Sequence, residues 1–160
     1  MTDLISIILP IFNGEKYLKE SMDSLIFQTY NEIEILCFDD GSCDNTLNIL
    51  KDYERRDKRI RIFHRKNDLK KGFNKGVAPT LNELIKYSKG SYIARMDADD
   101  ICDSRRIELQ YKQMKESNSD LCGSNIELID ENSESLNMEK KYPINHEEIR
   151  EGLAFYCCLA

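Results

Sequence analysis

Within its first 64 residues the chain lays down three dense apolar runs separated by two amphipathic stretches. The first run, Leu4 to Ile11, is uncharged and rich in β-branched residues, which predicts a strand covered on both faces. Asn13-Gly14 breaks it. Glu15 to Phe27 then places Tyr17, Leu18, Met22, Leu25 and Ile26 at helical spacing, with Asn13 or Gly14 in position to cap the start. Ile33 to Phe38 reads as a second strand, stopped by Asp39-Asp40-Gly41-Ser42. Thr46 to Arg55 repeats the helical stripe through Leu47, Leu50 and Tyr53, and Arg59 to His64 reads as a third strand. This alternation predicts an α/β fold, a Rossmann-like and mostly parallel sheet flanked by helices on both faces.

The pattern continues beyond a basic loop at 65–76. Val77 to Tyr87 is predicted as a helix with Pro79 in its first turn, where a missing N–H costs little. Tyr92 to Met96 reads as a strand and Arg105 to Lys115 as a helix. Asp120 to Ile129 is predicted as a final strand, with Cys122 as a small buried apolar residue. Asp130 to Lys141 reads as a loop or hairpin, and Glu147 to Phe155 as a short helix. A chain of 160 residues suits one domain with a sizeable core, so a single domain over 1–160 is expected.

Composition narrows the function. The net charge of -6 argues against a nucleic-acid partner, which needs a basic face. A nucleotide remains compatible, because a divalent cation can bridge acidic side chains to phosphates. The cysteines at 37, 43, 102, 122, 157 and 158 include no CxxC pair, and only two His residues exist, so no structural zinc site is expected. Met1-Thr2-Asp3 lacks the basic start of a secretory leader, which predicts reduced thiols and a cytoplasmic location. No apolar run is long enough to span a bilayer, so attachment to the inner face of a membrane would rest on segments beyond residue 160. The dinucleotide and Walker A glycine patterns are both absent.

Parallel sheets bind ligands at the carboxyl ends of their strands, which directs attention to the loops at Asn13, Asp40 and Asp97. Asp97-Ala98-Asp99-Asp100 follows the fourth predicted strand directly. Extended alternation would set Asp97 and Asp99 on one side and turn Ala98 away. Two carboxylates so held suit magnesium or manganese, with waters and phosphate oxygens completing the shell. Asp100 and Asp103 are better read as helix-start acids favoured by the helix dipole. Asp39-Asp40 sets two like charges at the end of a buried strand, which plain turn chemistry leaves unexplained. In that loop, Ser42 and Asp44 fit a turn and a helix start. In Pro10-Ile11-Phe12-Asn13-Gly14-Glu15 the proline belongs near a strand end, and Phe12 offers a flat face to a base. Arg65, Lys66, Lys70, Lys71 and Lys75 could steer phosphates, although a solvated charged surface is the simpler account of each.

These segments together resemble the inverting glycosyltransferase family 2, with the GT-A fold. The resemblance rests on Ser6-Ile-Ile-Leu-Pro-Ile-Phe-Asn-Gly14, the stretches Glu20 to Tyr30 and Glu34 to Thr46, Gly90-Ser-Tyr-Ile-Ala-Arg-Met-Asp-Ala-Asp-Asp100, and Arg106 with Gln110. It implies that Pro10, Phe12, Asn13 and Glu15 line a nucleoside pocket and that Asp40 binds the base, commonly uracil. It implies further that Asp97 contacts ribose or metal and that Asp99 ligates the metal on the donor diphosphate. The implied donor is a UDP-sugar and the implied acceptor a glycan or lipid. The family's catalytic base lies in a downstream acidic motif, expected here beyond residue 160, together with most of the acceptor site. A donor-binding domain without turnover is the alternative, and a nucleotidyltransferase a more distant one, since Asn13 to Lys19 supplies no glycine-rich phosphate loop.

Overall fold

The computed structural model describes residues 2–66 and 75–152. The chain divides into two compact units, Met1–Glu108 and Leu109–Ala160. In the first, β1 (Ile5–Ile11), α1 (Leu18–Ile26), β2 (Ile33–Asp39), α2 (Thr46–Arg56), β3 (Ile60–His64), α3 (Val77–Tyr87) and β4 (Tyr92–Arg95) alternate as the periodicity predicts. The start of α4 (Arg106–Ser117) follows. All four strands are parallel, in the order β3-β2-β1-β4, with Ile5 of β1 paired to both Ile33 and Tyr92.

The hydrophobic pattern accounts for the layers. Every residue of β2, and every residue of β1 except Pro10, is buried. Side chains alternate across the sheet, so one face gathers Ile8, Leu36 and Phe38 against Leu84 of α3. The other face meets α1, where Cys37 Sγ lies 3.8 Å from Met22 Sδ. Burial there pushes the Cys37 thiol up to about 12, so it acts as an inert apolar filler. Pro10 sits next to the end of β1, beyond the last residue paired with β4, as its missing N–H requires.

A polar clasp closes the amino-terminal end of the sheet. Glu34 Oε1 accepts from the Ser6 hydroxyl (2.6 Å) and the Lys89 amide (2.6 Å), and Ser6 Oγ accepts from the Gly90 amide (2.9 Å). Burial pushes the Glu34 carboxyl up, but these hydrogen bonds and Arg61 outweigh it and hold it below its usual range. A Cβ at Gly90 would stand 2.6 Å from Ser6 N and 2.7 Å from Leu4 O, so only glycine fits there.

The second unit departs from expectation. Only Ile126–Ile129 of the predicted final strand forms β5, and it does not join the parallel sheet. It pairs antiparallel with β6 (Ser135–Lys140), so the hairpin runs over 126–140 and the stretch 130–141 supplies its turn and second strand. Asp130 Oδ1 closes the turn by accepting the amides of Asn132 and Glu134. Residues 120–125 include Gly123 and Ser124 and have no ladder partner, and Cys122 is half-buried rather than buried. The last described helix, α5, covers His146–Gly152, and the rest of its predicted span lies outside the described residues.

Candidate functional site

Strand order reverses between β1 and β4, and the carboxyl ends of strands at such a reversal are where parallel sheets bind ligands. The loop after β1 and the acidic turn after β4 flank that point. They approach closely: a Cβ at Gly14 would lie 3.7 Å from Ala98 Cβ.

The loop after β1 is stitched to the loop after β2. The amides of Asn13, Gly14 and Glu15 donate to Ser42 Oγ (2.9 Å), Thr46 Oγ1 (2.9 Å) and Asp44 Oδ2 (3.0 Å). In return, Asn13 Oδ1 accepts the Cys43 amide (2.9 Å), and Glu15 Oε2 accepts the Asn45 amide (2.9 Å). Asn13 reaches this geometry in the left-handed region, with φ of 51°, which asparagine tolerates. Its side chain and that of Glu15 are therefore spent on holding one loop to the other. Nor does Asn13 cap α1, which starts only at Leu18; the Gly14 carbonyl accepts the Tyr17 and Leu18 amides instead. Phe12 is 46% exposed at the edge of this loop.

The adjacent acids at the end of β2, Asp39 and Asp40, are each met by separate partners. Asp39 Oδ1 accepts the Ser42 amide (2.8 Å). Asp40 is buried, its Oδ1 ion-paired with Arg65 and its Oδ2 accepting the Gly76 amide (3.0 Å). Arg65 also pairs with Glu83 (2.8 Å) and lies over the Phe38 ring, and Lys75 pairs with Glu83 (3.2 Å). These two members of the basic loop thus face carboxylates. Lys70 and Lys71 fall outside the described residues.

Past Arg95 the chain turns instead of continuing extended. The Met96 amide makes a last bond to Ile8 O (3.1 Å), and then the Asp100 amide closes back on Asp97 O (3.3 Å). The ladder has ended, because β4 pairs with β1 only as far as Ile8 and Arg95. Asp97, Asp99 and Asp100 are consequently gathered in one tight turn. Burial raises the Asp100 carboxyl, and the charges of Asp97 and Asp99 raise it further, against the pull of Arg106 and Arg95. Asp100 is therefore part of this cluster and not a helix-start acid, since α4 begins only at Arg106. Asp103 does serve the helix entry, accepting the Arg105 amide (2.8 Å).

α1 braces the turn from below. Ser21 Oγ donates to Asp97 O (3.3 Å), and Ser24 Oγ accepts the Cys102 amide (3.0 Å). Gln28, buried, donates to Asp103 O (2.7 Å) and accepts the Ile107 amide (3.1 Å). Arg106 Nη2 donates to Arg95 O (2.9 Å). Sequence reading assigned no role to Gln28 or Arg95. For Arg95 the signal was present: it stands two residues from Asp97 with opposite charge.

The donor set fits a hard divalent cation. Asp99 carries its carboxylate exposed on the turn, and Asp97 carries one whose two oxygens are held by Arg95. Among the described residues no three Asp, Glu, His or Cys side chains surround a common point, so most of the shell would come from water and ligand.

Residues 6–156 match the model of Glycosyl transferase family 2. The chain belongs to this family. Among its relatives is glycosyltransferase GlyG of Streptococcus pneumoniae serotype 4, 40% identical over 131 residues, 82% of this chain and 42% of that one. Another is the UDP-Glc:alpha-D-GlcNAc-diphosphoundecaprenol beta-1,3-glucosyltransferase WfgD of Escherichia coli, 37% identical over 81% of this chain and 48% of its own. The family 2 chain thus spans about half the length of these relatives. Among solved structures, S. aureus TarS 1-349 in complex with UDP-GlcNAc superposes with a TM-score of 0.64 at 27% identity, over 73% of this chain and 32% of that one. The parallel sheet flanked by helices is the GT-A type.

Proposed function

We propose that this chain binds a UDP-sugar at the carboxyl ends of β1 and β4, and that the whole protein transfers the sugar to a hydroxyl of a glycan or lipid-linked acceptor with inversion. One observation carries the reading: in a family 2 chain, the Asp97–Asp100 turn sits braced at the strand ends, directly against the Gly14 loop. The names of WfgD and of the TarS complex support uridine as the nucleotide, and WfgD supports a lipid-linked acceptor.

In this reading Asp97 and Asp99 hold a manganese or magnesium ion on the donor diphosphate, with Asp97 also within reach of the ribose. When bound, the ion supplies Lewis-acid stabilisation of the departing diphosphate. The protein's own groups prepare that step. Phe12 gives the base an exposed face on which to stack, next to Pro10. Asn13 and Glu15 shape the pocket through the loop they hold. Asp40 reads the base by exchanging one of its present partners, Arg65 or the Gly76 amide. The acceptor hydroxyl attacks the anomeric carbon from the face opposite the diphosphate, and its proton goes to a carboxylate base outside the residues assigned here. Among the described residues no helix is long and apolar enough to cross a membrane, so inner-face attachment would come from other segments.

Calorimetry with UDP, with and without Mn2+, tests the donor site. Binding is expected to require the cation. Asp99→Ala is expected to abolish the metal-linked part while the thermal midpoint stays unchanged, since Asp99 is exposed. Equal UDP heats for wild type and Asp99→Ala would sink the reading.

A further inference from the structure

The carboxylate at the centre of the site already has a counter-ion. Arg95, the last residue of β4, sets Nη2 2.9 Å from Oδ1 and 2.7 Å from Oδ2 of Asp97. The two side chains are 58% and 39% exposed, so the guanidinium rides on a solvated stem. Its backbone does not share that freedom, because the Arg95 carbonyl accepts from Arg106 and its residue pairs with Ile8 of β1. The anchor is fixed and the head can swing.

A guanidinium astride both oxygens and a divalent cation on the same carboxylate repel one another at this range. Once displaced, the guanidinium remains within a side-chain length of whatever the cation bridges, and its planar fork suits phosphate oxygens. We propose that Arg95 is an exchangeable counter-ion of the donor site: it holds Asp97 while no cation is bound, and passes to the donor's diphosphate when the cation takes Asp97. The inference rests on Asp97 and Asp99 being the cation site. Arg95 then makes cation and diphosphate favour each other's binding, because either one alone must act against the Arg95–Asp97 pair or forgo the freed guanidinium.

The test uses the chain of residues 1–160, Arg95→Gln and Arg95→Lys, with MnCl2 alone and then UDP in saturating Mn2+. Arg95→Gln is expected to bind Mn2+ alone about two- to five-fold more tightly, the worth of a half-exposed ion pair. That gain should shrink as salt rises. The same variant is expected to bind UDP several-fold more weakly than wild type in Mn2+. Arg95→Lys, which keeps the charge and loses the fork, should leave Mn2+ affinity near wild type while weakening UDP. Should Arg95→Gln melt early, Arg95→Lys carries the comparison. Unchanged or weaker Mn2+ binding by Arg95→Gln, or unchanged UDP binding by both variants, overturns the exchange and leaves the donor site standing. Failure of wild type to bind Mn2+ with or without UDP removes the cation site itself, and the proposal with it.

Discussion

Thr46→Val tests whether the stitched loops hold the nucleoside side of the candidate site in place. Thr46 is fully buried, and its Oγ1 accepts the Gly14 amide at 2.9 Å. Valine keeps the shape but offers no acceptor, so the half-buried Gly14 N–H is orphaned. That costs about 1–3 kcal/mol. For a chain of this size, a central 2 kcal/mol corresponds to a fall of about 4–8 °C in Tm. A second signature follows from Asp44. Burial pushes its carboxyl up, but the Thr46 hydroxyl and amide and the Glu15 amide win and hold it below its usual range. A depressed carboxyl binds fewer protons folded than unfolded. Its contribution is therefore complete above the unfolded value of about 3.9 and is lost as pH falls through the folded one. Valine removes one of those donors, so the gap between wild type and variant should narrow as pH falls below about 4 and through the folded value, without closing. Urea unfolding by far-UV circular dichroism suits a chain with no tryptophan. A variant within about 0.5 kcal/mol of wild type at neutral pH, or a gap constant through the acid limb, would refute the argument.

Two further perturbations probe the supports of β4 and its turn. Gly90→Ala drives a methyl into the backbone of Leu4 and Ser6, and should cost about 3 kcal/mol or more, read as a lower urea midpoint. Gln28→Leu fills similar volume but strips partners from Asp103 O and the Ile107 amide, and should cost about 1–3 kcal/mol. It should also weaken Mn2+-dependent UDP binding if the brace sets the turn; unaltered binding would restrict Gln28 to stability.

Elements written in local pattern were legible. The bounds of α3 match the expected Val77 to Tyr87, and those of α2 differ by one residue, because spacing and turn residues fix them nearby. Features fixed by distant partners were not. The helical stripe from Tyr17 gave no warning that Glu15 would be drawn off to Asn45, leaving α1 to begin at Leu18. Asp97 to Asp99 was expected extended because nothing local says that β4 runs out of partner at Ile8. Nor does anything local announce the partners of Asp39 and Asp40, whose charges are met by Ser42, Arg65 and Gly76. The acidic turn itself was found by position, since the alternation of strands and helices says which loops reach the binding edge.

β1's place between β2 and β4 has a consequence for how the molecule comes into being. β1 emerges from the ribosome before its neighbours and meets β2 soon after, a local pairing across one helix. Its other neighbour, β4, lies far along the chain, so Ile5 waits for Tyr92 with one edge open. Such distant pairings close slowly, and an uncovered inner strand invites the wrong company meanwhile. The segment that fills the gap brings the Gly90 clasp at one end and Asp97 and Asp99 at the other. A nascent chain therefore acquires its acidic turn in the same event that seals its core.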